Sequence, residues 1–189
     1  MINKKLATLG VALSAAIASH AQATTIDITD NDWHTFDVST GLAASQGTEW
    51  IDVTDGLGSA LDFKFNLTST TLVTLVDGGF SGDRFQVFDN GTALGTTSAA
   101  PNSYPTSIGL NFDAALASGT YSTASFLLAA GSHDLTGLLA QSAVDDLNQP
   151  LDATVGALRL QPVPLPGAAL LFLSGSGLLS MFGRRRRAI

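Results

Sequence analysis

The sequence predicts an all-β protein: a single β-sandwich or jelly-roll-like ectodomain with an N-terminal signal peptide and a C-terminal transmembrane helix. Three observations carry this. Short stretches of the central chain alternate apolar and polar residues with a period of two. Gly, Asn and Asp punctuate them at turn positions. The two ends are apolar and basic in opposite order, Lys4 and Lys5 before the first apolar run and Arg184 to Arg187 after the last.

The first 23 residues read as a secretory signal peptide. Lys4 and Lys5 make the basic region, residues 6–19 the apolar region, and Ala21-Gln22-Ala23 a small-residue cleavage site. The mature chain then starts at Thr24, after handling by the Sec machinery and signal peptidase. Residues 24–160 form the ectodomain, one domain's worth of chain and long enough for a core. Residues 33–38 and 50–53 are short strand candidates. In residues 61–68 Leu61, Phe63, Phe65 and Leu67 alternate with polar neighbours, the pattern of a strand with one buried face. Residues 70–76 are β-branched and leucine-rich and read as a more buried strand.

Residues 84–88 and 93–97 are strands joined by a turn at Asp89-Asn90-Gly91-Thr92, because Asn-Gly accepts positive φ at both turn positions. Residues 96–107, rich in Ser, Thr, Pro and Ala, read as a surface loop. Residues 113–117 suit a helical turn. Residues 121–129 and 133–139 flank Gly131-Ser132 and are expected to form a second hairpin. Residues 153–160 make the last strand. Many short strands with frequent turns point to a sandwich or jelly roll.

The formal charge of the whole chain, −7, hides an asymmetry. All 16 acidic residues lie between Asp27 and Asp152, against only Lys64, Arg84 and Arg159, so the body carries −13. Such a surface repels nucleic acid and anionic lipid and attracts cations. Cysteine is absent, so the exported body holds together by packing and offers no thiol nucleophile or cysteine metal site.

Residues 161–167 form a linker holding three of the six prolines. Residues 168–183 follow as an uncharged run; as a helix, 168–182 spans about 22 Å, short of the roughly 30 Å hydrocarbon core. Counting back to Val163 reaches about 20 residues, and snorkelling arginines help a short span fit. Residues 184–189 are the cytoplasmic tail, where Arg184, Arg185, Arg186 and Arg187 set the topology. Four adjacent arginines also exclude burial of this run in a globular core.

Val163-Pro164-Leu165-Pro166-Gly167, the apolar run and the arginine cluster together resemble the PEP-CTERM class of sorting signals. The match is to the variant whose motif ends in alanine, where this chain has Gly167. The resemblance implies Gram-negative bacteria that make exopolysaccharide, processing by an exosortase-type membrane enzyme, and loss of the tail. Residues 76–91, with Ser125 to Leu128 and Gly131 to His133, also look like a segment common in ectodomains that carry this tail. That likeness implies a small β-sandwich with no assigned activity.

Candidate chemistry in the body is sparse. Asp77, Asp83 and Asp89 cluster around a Gly-rich stretch, and calcium takes such carboxylate and carbonyl oxygens. The alternative is turn chemistry at strand ends, with Arg84 pairing beside Asp83. Asp27, Asp30 and Asp32 form a second acidic group, open to the same two readings. Trp33, Trp50 and Tyr104 could stack on sugar rings, or fill the core edge. His34 and His133 are the histidines of the mature body, but no G-x-S-x-G elbow or H-E-x-x-H motif accompanies them.

The expected protein is therefore a secreted, non-enzymatic surface or exopolysaccharide-matrix protein with no required cofactor. Its ectodomain is held transiently at the inner membrane, in the periplasm, and then reaches the cell surface or biofilm matrix. The alternative is a carbohydrate- or calcium-binding sandwich module at the cell surface; an extracellular hydrolase is a distant third.

Overall fold

The computed structural model describes residues 24–27, 30–42, 47–151 and 153–163. The expected signal peptide with Ala21 and Ala23, residues 164–167 of the expected sorting motif, the expected membrane run and the arginine cluster fall outside them. Among the described residues no helix is long and apolar enough to cross a membrane.

The described residues hold ten strands and one helix: β1 (Thr24–Asp27), β2 (His34–Ser39), β3 (Ile51–Asp52), β4 (Ser59–Leu67), β5 (Thr71–Asp77), β6 (Arg84–Asp89), β7 (Thr92–Thr96), α1 (Phe112–Ser118), β8 (Thr123–Leu128), β9 (Gly131–Gln141) and β10 (Ala153–Pro162). The described residues are all-β apart from α1. The strands pair along one path, β7-β6-β9-β4-β3-β2-β10-β5-β8, with β1 added parallel to β4. β4 is the corner. Its start pairs with β3 and its later half with β9, so the path folds over into a nearly closed, sandwich-like pair of layers.

The core lies between the layers. Phe36, Val38, Val73, Leu75, Leu158 and Leu160 meet Leu61, Phe63, Phe65, Phe85, Val87 and Leu135. In β4 the alternation reads as expected: Leu61, Phe63 and Phe65 are buried while Lys64 and Asn66 are exposed. β5 is buried on both faces for a tertiary reason. Val73 and Leu75 enter the core, while Val76 on the other face is covered by Phe112 and Ala115 of α1 and by Tyr121. Asn111 caps α1, its side chain accepting from the amide of Ala114 at 3.1 Å, and Gly119 ends it at φ 66°.

The β6–β7 hairpin forms as expected, with φ of 49° at Asn90 and 75° at Gly91. The expected second hairpin does not form. β8 pairs with β5 in one layer, and β9 pairs with β4 and β6 in the other. Residues 129–131 are thus a crossover between layers. Two consecutive strands that bury apolar residues toward one core look alike whether they pair or face each other. The loop at 96–107 also departs from a plain surface loop at Thr97, which is buried and accepts from the amide of Phe85 at 2.9 Å.

Candidate cation centre

Asp77 closes β5 and Asp83 immediately precedes β6, so the Gly-rich connection between them reverses the chain at one pole of the sandwich. Asp77 continues the alternation of Val73 and Leu75 toward the interior, which explains why a carboxylate ends up completely buried. The connection is strapped on several sides. Gly78 donates to the Val155 carbonyl at 2.9 Å, and a Cβ on Gly78 would stand 2.7 Å from the Phe112 ring. The Gly79 carbonyl accepts from Ile108 N, Ser107 Oγ and Tyr121 Oη. The Ser81 hydroxyl reaches the carbonyls of Pro101 and Thr120, at 2.8 and 2.7 Å.

Asp77 is 0% exposed and Asp83 2%. Three of their four carboxyl oxygens accept a hydrogen bond. Oδ2 of Asp77 takes the amide of Gly82 at 3.2 Å. Oδ1 of Asp83 takes the amide of Ala143 at 2.7 Å, and its Oδ2 takes the hydroxyl of Thr154. Oδ1 of Asp77 is buried and has no partner among the described residues.

Burial, and then the charge of Asp83, pushes the Asp77 carboxyl up to about 9. Burial also raises Asp83, against the opposing pull of Thr154 and Ala143. No described basic side chain offsets the pair. Lys64 lies 3.3 Å from Asp62 and 3.5 Å from Asp134, and Arg159 lies 3.0 Å from Asp113. Arg84 does not pair with its neighbour Asp83; its Nε donates to the Thr97 carbonyl at 3.1 Å.

Beside the pair opens a cleft of about 210 Å³, lined by Asp83, Thr154, Gly78 and Asp37 among others. Burial, and secondarily the charge of Asp52, raises Asp37 to about 6. Asp37 and Thr154 carry no local signal in the sequence. They come from β2 and β10, adjacent strands that bring Asp37 opposite Val155 and Val38 opposite Thr154.

Asp89, the third carboxylate grouped with Asp77 and Asp83 by sequence, lies at the far end of β6. About 20 Å of extended strand separates it from Asp83. Its Oδ2 meets His133 Nδ1 at 2.8 Å, and its Oδ1 accepts the amide of Asp134 at 3.3 Å. The three aspartates therefore do not share one centre, because Asp83 precedes β6 and Asp89 closes it, and an extended strand carries its two ends to opposite poles. Among the described residues no group of three or more His, Asp or Glu side chains has metal-holding geometry. In the second acidic group, Asp30 accepts the amide of Asp32 at 3.0 Å and meets His34 Nε2 at 2.9 Å, which is turn chemistry.

The three candidate stacking rings are dispersed. Trp50 is 1% exposed, stacked on Phe36 with centroids 3.9 Å apart. Trp33 packs against Phe112 and lies under the Arg159 guanidinium, 4.2 Å from the ring centroid. Tyr104 tilts against Phe80. They form no common platform, because the apolar alternation draws Trp50 inward. His133 has both ring nitrogens engaged, Nδ1 with Asp89 and Nε2 with the Ala129 carbonyl at 3.0 Å. That geometry leaves neither nitrogen to activate a serine. Val163, the one described residue of the expected sorting motif, donates its amide to the Thr70 carbonyl at 3.1 Å.

No known family model matches this chain, and no curated protein matches it. A similar solved structure is the pre-peptidase C-terminal domain of a collagenase from Bacillus anthracis. It is 9% identical, covers 74% of this chain and 97% of that domain, and superposes with a TM-score of 0.39.

Proposed function

We propose that this chain is an exported, non-enzymatic β-sandwich module, sorted through its C-terminal signal to the cell surface or exopolysaccharide matrix. The observation that carries the reading is the order of parts at the C-terminus. β10, paired on both sides, ends at Pro162, and the motif Val163-Pro164-Leu165-Pro166-Gly167 begins at the next residue. The apolar run and four arginines follow. Processing beyond the motif would leave the whole sandwich intact. The other end has the same logic: β1 begins at Thr24, directly after the Ala21-Gln22-Ala23 site.

Signal peptidase and an exosortase-type enzyme would then act on this chain as their substrate. The non-enzymatic part of the reading is supported by His133, whose two ring nitrogens are both committed, Nδ1 to Asp89 and Nε2 to the Ala129 carbonyl. Mass spectrometry of the mature protein tests the reading. The expected species starts at Thr24 and lacks the apolar tail. A released protein that still ends in Arg184 to Arg187 and beyond overturns it.

A further inference from the structure

We propose that Asp77 and Asp83 are the inner oxygen ligands of a calcium-class divalent-cation site, at the pole of the sandwich remote from Val163. Four observations meet there. Two carboxyl groups are fully buried side by side in the chain reversal between β5 and β6. One of their oxygens, Oδ1 of Asp77, is sealed from solvent, and no N–H or O–H group of the described residues satisfies it. No basic side chain among those residues balances the pair, since Lys64, Arg84 and Arg159 are engaged elsewhere. A cleft lined by Asp83, Thr154 and Gly78 opens on the Asp83 side of the pair, while Asp77 lies behind it.

Charge and chemistry choose the ligand class. A buried carboxylate needs a compensating partner. One divalent cation neutralises two carboxylates, whereas one monovalent ion leaves a net negative charge. The side-chain atoms that could serve as ligands are the carboxylate oxygens and the Thr154 hydroxyl, which suit a hard cation. Calcium tolerates irregular coordination of 6–8 oxygens, in which two carboxylates are completed by carbonyls and water, better than magnesium does. Asp89 is excluded by its position at the opposite pole.

The position also has a direction. Thr71 pairs with Pro162 at one end of β5, and Asp77 pairs with Gly156 at the other. The pair thus sits about 20 Å of strand away from the point where the chain leaves β10. The inference rests on the body alone and stands whether or not the tail is processed.

Thermal unfolding of the full chain in detergent, with and without millimolar calcium chloride, tests it against potassium chloride of matched ionic strength. Calcium should raise the midpoint by several degrees and saturate, because it binds the folded state. Asp77→Asn keeps the shape, loses the charge, and should fold while losing the calcium response. Asp89→Asn should retain the response in full. Equilibrium dialysis with calcium should find one site per chain in the unaltered protein, a readout that does not depend on any variant folding. No calcium-dependent shift and no bound calcium overturns the proposal and leaves a proton as the partner of Asp77. A shift that survives in Asp77→Asn, or disappears in Asp89→Asn, also overturns it.

Discussion

The indole of Trp50 lies so close over Gly137 that a Cβ there would stand 2.1 Å from Cε2. Across the core the arrangement repeats, with Phe36 over Gly156, where a Cβ would stand 2.4 Å from the ring. Trp50 and Phe36 stack on each other, 3.9 Å between centroids and 16° between planes. The two rings therefore fill the space between a glycine of β9 in one layer and a glycine of β10 in the other. Phe63 and Phe85 close the sides edge-on.

Gly137→Ala should destabilise the protein by about 1–3 kcal/mol, the usual cost of overpacking a filled core. The added methyl meets the rigid fused ring of Trp50, not the end of a flexible chain. Chemical denaturation should show a lower midpoint with unchanged slope. A midpoint equal to that of the unaltered protein would mean that the ring moves freely.

Asp37 should make stability fall as pH rises. In the unfolded chain its carboxyl titrates near 3.8, and in the fold burial and Asp52 hold it at about 6. Between those values the folded state keeps a proton that the unfolded state has lost, so stability drops across that window and is level above it. Asp77 acts in the same direction over a window reaching about 9. The difference between unaltered protein and Asp37→Asn isolates Asp37. The variant should gain about 1 kcal/mol at neutral pH, discounted for partial solvent access, and nothing below pH of about 4. A constant difference at all pH values would contradict this.

Arg159 should fix α1 to the outer face of the sheet more through Trp33 than through Asp113. Oδ1 of Asp113 accepts from Arg159 at 3.0 Å and from Trp33 Nε1 at 3.1 Å, but Asp113 is 72% exposed. An ion pair this open contributes little. The guanidinium over the Trp33 ring is mostly buried, and such contacts are worth about 1 kcal/mol. Arg159→Ala should therefore cost about 1–2 kcal/mol and red-shift the fluorescence of Trp33. Asp113→Ala should cost less than half as much. Equal losses in urea denaturation would assign the contact to the ion pair.

Much of the strand order was legible locally. The alternation in β4 and the Asn90-Gly91 turn depend on side-chain period and on φ, both properties of neighbouring residues. The cap on α1 is local too, although sequence placed only a helical turn there. What could not be read was which strand meets which. Gly131 joins two strands that belong to different layers, and Asp89 travels away from Asp83 along β6. Thr154 reaches Asp83 from 71 residues away. Pairing between distant strands depends on the whole set of buried faces, which no short window contains.

By itself, then, the sequence determined the all-β class, the one-faced strands and the acidic character of the body, because composition and periodicity act residue by residue. It also carries the ordered motif, apolar run and arginine cluster on which the sorting proposal stands. Only the tertiary structure decided that Trp50 is a core ring and not an exposed platform. Only there do Asp77 and Asp83 become a buried pair, with one oxygen of Asp77 unpartnered among the described residues. A carboxylate at a strand end is ordinary turn chemistry until the opposite layer closes over it. Desolvation, which gives the pair its energetic weight, is a property of the assembled sandwich.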